Sequence, residues 1–214
     1  MSENFAARLE NVLRANPPTR VSVQGARDAA VLIPIVGGPE PTVIFTVRTD
    51  TLPSHKGQIS FPGGSIDGTD ASAEAAALRE AREELGLDIG RWRVLGELDA
   101  VPTFVSGFVI TPVVGWTEEA PEIDPNPAEV ADVLKVPIDD LAEDIRRPPG
   151  FSHGGRTFPT EAWIWHDHVI WGATARVVRI FLLRLAQAGL APAPGESPEW
   201  LFPVDVAEDE TGTG

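Results

Sequence analysis

Glu80, Glu83 and Glu84 stand at i, i+3 and i+4 in the run Arg79-Glu80-Ala81-Arg82-Glu83-Glu84-Leu85-Gly86-Leu87. On a helix these three carboxylates fill an arc of about 100° on one side. Like charges at such spacings cost a bare helix on the order of 0.2 to 0.5 kcal/mol per pair. A cation offsets that cost, and hard divalent ions such as Mg2+ or Mn2+ take carboxylate oxygens as ligands. Upstream, Phe61-Pro62-Gly63-Gly64 supplies a glycine turn that brings backbone carbonyls close to a ligand. A carbonyl there would complete an oxygen-only site. A water bound to such an ion and deprotonated by a neighbouring glutamate can attack phosphorus. The bland alternative is a solvated helix face laced by Arg79 and Arg82. It is the weaker one, because Arg79 to Glu83 has the less favourable order for an ion pair and leaves the Glu80 to Glu84 repulsion in place.

Other chemistry-bearing residues weigh less. His55 and Lys56 lie in the loop that leads to the glycine turn, within reach of a substrate phosphate. His166 and His168 form His-x-His with no further ligand nearby in sequence, and read as turn residues rather than a zinc site. Trp163, Trp165 and Trp171 could stack on a base, but on a hairpin packed against a helix they read as core.

The elements that must position these groups are legible from periodicity. Apolar residues at Phe5, Leu9, Val12 and Leu13 predict an amphipathic helix over residues 5–14, ended by Pro17-Pro18. Residues 29–36 and 43–48 read as a hairpin of strands, 50–56 as a polar loop and 58–61 as a short strand. Residues 71–85 predict the glutamate helix, with Thr69 or Asp70 as N-cap and Gly86 as the left-handed C-terminal residue. Its apolar stripe is Ala77, Leu78, Ala81 and Leu85, away from the carboxylate arc. Residues 92–101 and 104–116 read as strands, and Gly107 and Pro112 suggest a bulge or an edge in the second. Residues 117–128 read as an acidic, proline-rich loop that either covers a site or is simply solvated, the solvated reading being favoured. After it come a strand at 133–136, a short helix at 138–145 and a loop at 147–155. A hairpin of 162–165 and 168–171 turns about His166-Asp167, and a helix covers 173–188. Residues 1–188 thus read as one domain with an N-terminal helix, and residues 189–214 as an Ala/Pro-rich, acidic arm in which Trp200-Leu201-Phe202 could dock.

Composition narrows the classes. The 214 residues are 43% hydrophobic, enough to bury a full core. A net charge of -15 argues against a protein that grips nucleic acid through a basic surface. With no cysteine, thiolate metal sites and thiol catalysis are excluded. No stretch reaches transmembrane length and the first residues do not read as a secretory signal, so a cytoplasmic protein with no membrane partner is the expectation.

The glycine turn and the glutamate run together resemble the Nudix box, G-x5-E-x7-R-E-U-x-E-E-x-G-U, where U is a bulky aliphatic residue. The second half matches except for Ala81 at the first U. The first half carries one extra residue between Gly64 and Arg79, so that the upstream Glu falls on Asp70 or Ala71. The wording Asp67-Gly68-Thr69-Asp70 resembles the coenzyme A pyrophosphatase subgroup, whose box has this insertion and an aspartate. The segment from Ile44 to Gly64 keeps the spacing of that subgroup's upstream motif, L-L-T-x2-[ST]-x3-R-x3-G-x3-F-P-G-G, but its arginine is Pro53. Arg48 or Lys56 could stand in for it.

This resemblance implies an α/β/α sandwich around a mixed sheet and Mg2+- or Mn2+-dependent hydrolysis of a nucleoside diphosphate linked to another moiety, coenzyme A or a derivative first. It implies Glu80, Glu83 and Glu84 as metal ligands with the Gly63 carbonyl, Glu83 or Glu84 as general base, and Arg79 orienting these carboxylates. Arg48, His55 and Lys56 would touch substrate, and Glu129 is the candidate for a base from a later loop. Rival readings are hydrolysis of ADP-ribose, dinucleotides or nucleoside triphosphates, or a non-catalytic nucleotide-sensing module. A second copy of the chain is a further candidate partner.

Overall fold

The computed structural model describes residues 2–49, 57–103, 106–143, 145–146, 151–153, 156–158 and 162–194. Its centre is a mixed sheet of eight strands. β1 (Arg27–Val36) is the axis of this sheet, Val/Ile/Leu-rich because both its faces are covered. On one side it runs parallel to β7 (Phe108–Thr117), in register from Arg27 opposite Phe108 to Val36 opposite Thr117. On the other side it meets β2 (Thr42–Arg48) only at Ile35 opposite Val43 and Val36 opposite Thr42.

Beyond those two pairs β1 and β2 diverge, and the gap between them makes the site possible. β3 (Ile59–Ser60) continues along β2 at Thr46 and Val47, whereas β4 (Gly63–Ser65) continues along β1 at Ala29, Ala30 and Val31. The peptide between them crosses the split, where Pro62 O accepts from Leu32 N at 2.9 Å. The glycine turn therefore sits inside the sheet, held by backbone bonds on both sides.

Side chains alternate across the pleat, so each strand feeds two cores. Ala30, Leu32, Ile44 and Val113 face α2 (Ala73–Leu85), which buries Ala76, Ala77, Ala81 and Leu85 against them. Ile33, Ile35, Phe45, Val114 and Trp116 face the other way, toward Leu9 and Leu13 of α1 (Ser2–Ala15) and Phe181 and Leu185 of α4 (Gly172–Gln187). Phe5 of α1 stacks on Trp116 with ring centroids 5.3 Å apart. The layers are helix, sheet, helices, the α/β sandwich the sequence implies.

β5 (Arg93–Glu97) and β6 (Val101–Pro102) both pair with β7, and β8 (Val130–Pro137) pairs with β2. After α3 (Ile138–Glu143) come β9 (Ile145–Arg146), a two-stranded sheet of β10 (Phe151–His153) and β11 (Arg156–Phe158), and the hairpin of β12 (Ala162–Trp165) and β13 (His168–Trp171). That hairpin has the expected bounds, with His166 at φ 51° in its turn.

Four expectations need correction. The strand carrying Pro112 is not an edge: β7 lies between β1 and the β5–β6 pair, and the irregular register is on β5, between Val94 and Gly96. Pro112 is tolerated because it lies just past the end of β5, opposite Leu98, whose own N–H still reaches Pro112 O at 2.9 Å. Residues 151–153 are strand rather than loop. The helix starts at Ala73, and its cap is Ser72, whose Oγ accepts from Ala75 N at 3.1 Å. Finally, the acidic loop is not merely solvated. Asp124 N and Asn126 N donate to Leu85 O and Glu84 O at 2.9 and 2.8 Å, covering carbonyls that the end of α2 leaves open. Past α4, Leu190 and Ala191 pack on the core, and residues 195–214, with the Trp200-Leu201-Phe202 segment, lie outside the described residues.

Candidate active site

α2 is built to hold charge at an unfavourable place. Glu83 and Glu84 lie in its last turn, where the helix dipole already concentrates negative potential. The helix nevertheless closes cleanly, because Gly86 adopts φ 66° and returns its N–H to Arg82 O.

Arg79 organises the outer part of the cluster. Its guanidinium grips Asp70 with two bonds, Nε to Oδ1 at 3.0 Å and Nη2 to Oδ2 at 2.9 Å. It also donates to Glu80 Oε1 at 2.8 Å, Glu83 Oε2 at 3.2 Å and Ser65 O at 3.2 Å. The hydrogen bonds from Arg79 hold the Asp70 carboxyl below the usual carboxylate range, helped by the Asp67 N–H. The same contacts raise Arg79, which stays a cation throughout. From the loop before α2, Asp70 thus reaches along the helix, its carboxylate engaged by Arg79 and the Asp67 N–H.

Glu84 is the inner carboxylate, 7% exposed, with Oε2 accepting from Gly63 N at 3.3 Å. Burial, then the charges of Glu80 and Glu129, push its carboxyl up to about 8 against the opposing pull of the Gly63 N–H and Arg48. Burial also raises Glu80, while the Arg79 hydrogen bond opposes that shift. A Cβ on Gly64 would stand 2.5 Å from Glu80 Oε1. Glycine at 64 leaves that space to the Glu80 carboxylate, which a side chain there would push aside.

Two groups complete the centre from other elements. Arg48, at the end of β2, has a buried Nε with no hydrogen-bond partner among the described residues, and lies close enough to lower Glu84. Glu129, before β8, lies close enough to Glu80 and Glu84 to raise both. The fold therefore brings Arg79, Glu80, Glu84, Gly63, Arg48 and Glu129 together. Glu83 is at their margin, its side chain 51% exposed and turned to Arg79. His55, Lys56 and Pro53 lie outside the described residues. Asn126 is a participant that motif reading missed, and Asp70, read as a cap or as the box's upstream acid, clasps Arg79 instead; both contacts come from loop geometry rather than helical spacing.

Elsewhere, Trp163 is core, 1% exposed with Nε1 donating to Ala175 O. Trp165 donates to Asp140 Oδ2 and packs its ring near His166 and His168.

Among the described residues no three Asp, Glu or His side chains are gathered around one point as a finished metal site. The donor chemistry nonetheless fits a hard divalent ion: oxygen-only, closely spaced and short of countercharge, with Glu84 buried. Among the described residues no helix is long and apolar enough to cross a membrane.

The NUDIX domain family model matches residues 26–159. The chain is similar to the protein named Uncharacterized Nudix hydrolase NudL of Cronobacter sakazakii, 40% identical over 196 residues covering 86% of this chain and 95% of the relative. The protein of that name from Photorhabdus laumondii is 39% identical over 163 residues, 76% of this chain and 86% of its own. Among solved structures, a MutT/nudix family protein from Enterococcus faecalis shares the fold, with a TM-score of 0.55 at 13% identity over 86% of this chain and 73% of that one. Together with the carboxylate cluster at the split sheet, these matches place the chain in the Nudix family: it is a Nudix hydrolase, of a class that acts on diphosphate bonds of small nucleotide substrates and generally needs a divalent ion such as Mg2+ or Mn2+.

Proposed function

We propose that this chain is a pyrophosphatase for coenzyme A or a derivative of it, using Mg2+ or Mn2+. The observation that carries the chemistry is the buried Glu84 beside Glu80 at the Gly63-Gly64 turn, a concentration of carboxylate that a divalent ion would stabilise. Glu80, Glu84 and the Gly63 carbonyl would hold the ion, with Glu83 joining once it leaves Arg79. The ion supplies charge neutralisation at the diphosphate and lowers the pKa of water. Arg79 keeps the carboxylates in place, Arg48 presents a buried guanidinium N–H, unpaired among the described residues, to a substrate phosphate, and Glu84, Glu83 or Glu129 takes the proton of the attacking water. The products would be two monophosphates. Residues 1–188 form the catalytic unit in this reading.

Support for coenzyme A is the inserted Asp67-Gly68-Thr69-Asp70 loop and the upstream spacing from Ile44 to Gly64, and Asp70 of that loop clasps Arg79. Pro53 in place of the subgroup's arginine favours a second reading, another diphosphate such as ADP-ribose. A panel of coenzyme A, acyl coenzyme A, ADP-ribose, NADH and nucleoside triphosphates with Mg2+ or Mn2+, read by product masses, separates them: coenzyme A turned over fastest supports the first reading, and preference for another compound ends it. Glu83→Gln is expected to lower turnover of the preferred compound by at least about tenfold. Unchanged turnover would remove Glu83 from the site.

A further inference from the structure

Glu129 approaches the centre from a different element than α2, and nothing cationic among the described residues is bonded to it. Its carboxylate must still stay near Glu80 and Glu84, which repel it. The contacts that keep it there converge on one residue, Asn126. The Asn126 N–H donates to Glu84 O at 2.8 Å, tying this loop to the end of α2. Asn126 O accepts from Glu129 N at 3.0 Å and from Val130 N at 2.9 Å. The side chain does the rest: Oδ1 accepts from Ala128 N at 3.1 Å, closing an Asx turn, and Nδ2 donates to Glu129 Oε1 at 3.4 Å. On the far side Thr49 N donates to Glu129 O at 3.0 Å, so the residue just past β2 also holds Glu129.

We propose that Asn126 is a positioning residue that sets the distance between Glu129 and the Glu80–Glu84 pair, bonding the backbone of one carboxylate residue and both backbone and side chain of the other. This rests on the reading that Glu129 takes part in the site. The physical reason for an amide is charge. A lysine or arginine at 126 would also hold Glu129, but it would neutralise the carboxylate and compete with a divalent ion for the same oxygens. An amide N–H offers one donor and no net charge. The side-chain contact is long at 3.4 Å, so it orients the carboxylate without capturing it.

The test is a double-mutant cycle of Asn126→Ser and Glu129→Gln, with two readouts. One is Mn2+ affinity of the metal-free protein, from the EPR signal of free Mn2+. The other is kcat for the diphosphate that the panel selects. Serine keeps a short acceptor for Ala128 N but cannot reach Glu129. Asn126→Ser is expected to weaken Mn2+ binding and to lower kcat by about tenfold each, with KM changed less, and to add nothing further in the Glu129→Gln background. Asn126→Asp keeps the turn acceptor and removes the donor, and should reproduce the loss if the serine variant does not fold. Equal losses in both backgrounds would show a merely structural loop residue and overturn the proposal. If Glu129→Gln is impaired while both Asn126 variants match the wild type, Asn126 alone is ruled out. If Glu129→Gln itself matches the wild type in both readouts, the reading of Glu129 fails and this proposal with it.

Discussion

Glu84 carries the opposition between folding and function. Its carboxyl is pushed up to about 8, so in the metal-free protein the protonated form is the one the fold favours. The sign of the consequence follows from linkage. Between the ordinary carboxylate range and about 8 the unfolded chain has already lost this proton while the folded chain retains it, so stability contributed by the group falls as pH rises. Glu84→Gln keeps an oxygen for the Gly63 N–H and cannot ionise. Its metal-free form should therefore melt higher than wild type at about pH 8, by on the order of 2 kcal/mol or more, and the gap should close toward about pH 5. The same variant should lose most hydrolysis. Paired melts at the two pH values check this, and a gap that does not change with pH would mean that Glu84 is charged in the apo fold. Asp70 gives a second test. Asp70→Asn breaks the two-bond clasp on Arg79 and should lower kcat by about 10- to 100-fold, as loss of a supporting contact does, measured as steady-state turnover.

The two glycines of the turn separate geometry from stability at the level of the element. At Gly64 an added Cβ meets only the end of the Glu80 side chain, 2.5 Å away. At Gly63 it meets backbone, 2.6 Å from Val31 Cα, where β4 pairs with β1. Gly64→Ala is thus expected to melt near wild type while losing activity, because Glu80 can swing aside. Gly63→Ala should unfold several degrees lower, because the strand pair must open. Thermal melts alongside activity decide between them. α2 itself was legible from its alanines, its acidic stripe and Gly86, since helix propensity and the left-handed C-terminal glycine are local properties. Its N-cap was not. Asp70 is as good a cap as Ser72 by residue type, but the helix begins at Ala73, directly after Ser72, and the Asp70 carboxylate is taken by Arg79 and the Asp67 N–H. Pro112 misled for a similar reason: a proline in a strand signals an edge unless a neighbouring strand happens to end beside it.

The molecule as a whole divides its labour between the two faces of the sheet. The α2 face carries the site, while α1 and α4 pack the opposite face without contributing to it. Leu9, fully buried in α1, can therefore be cut back with little effect on the chemistry. Leu9→Ala should cost about 2 to 5 kcal/mol in urea unfolding while leaving kcat per folded molecule within about twofold. A comparable loss of kcat in a fully folded sample would show that the two faces are coupled.

Periodicity and turn residues were sufficient for the glutamate helix, the glycine turn and the hairpin about His166-Asp167, because each depends on residues close in the chain, and the fold class followed from the family resemblance of the box. The carboxylate spacing also pointed to a cation, while the reaction class rested on the resemblance of the whole box to a known family. Tertiary structure alone decided the rest. The divergence of β1 from β2 put the turn against Glu80 and Glu84, burial separated Glu84 from the exposed Glu83, and the loop at residues 124–130 brought in Asn126 and Glu129. Burial and long-range contact depend on which segments pack together, and no local pattern encodes that.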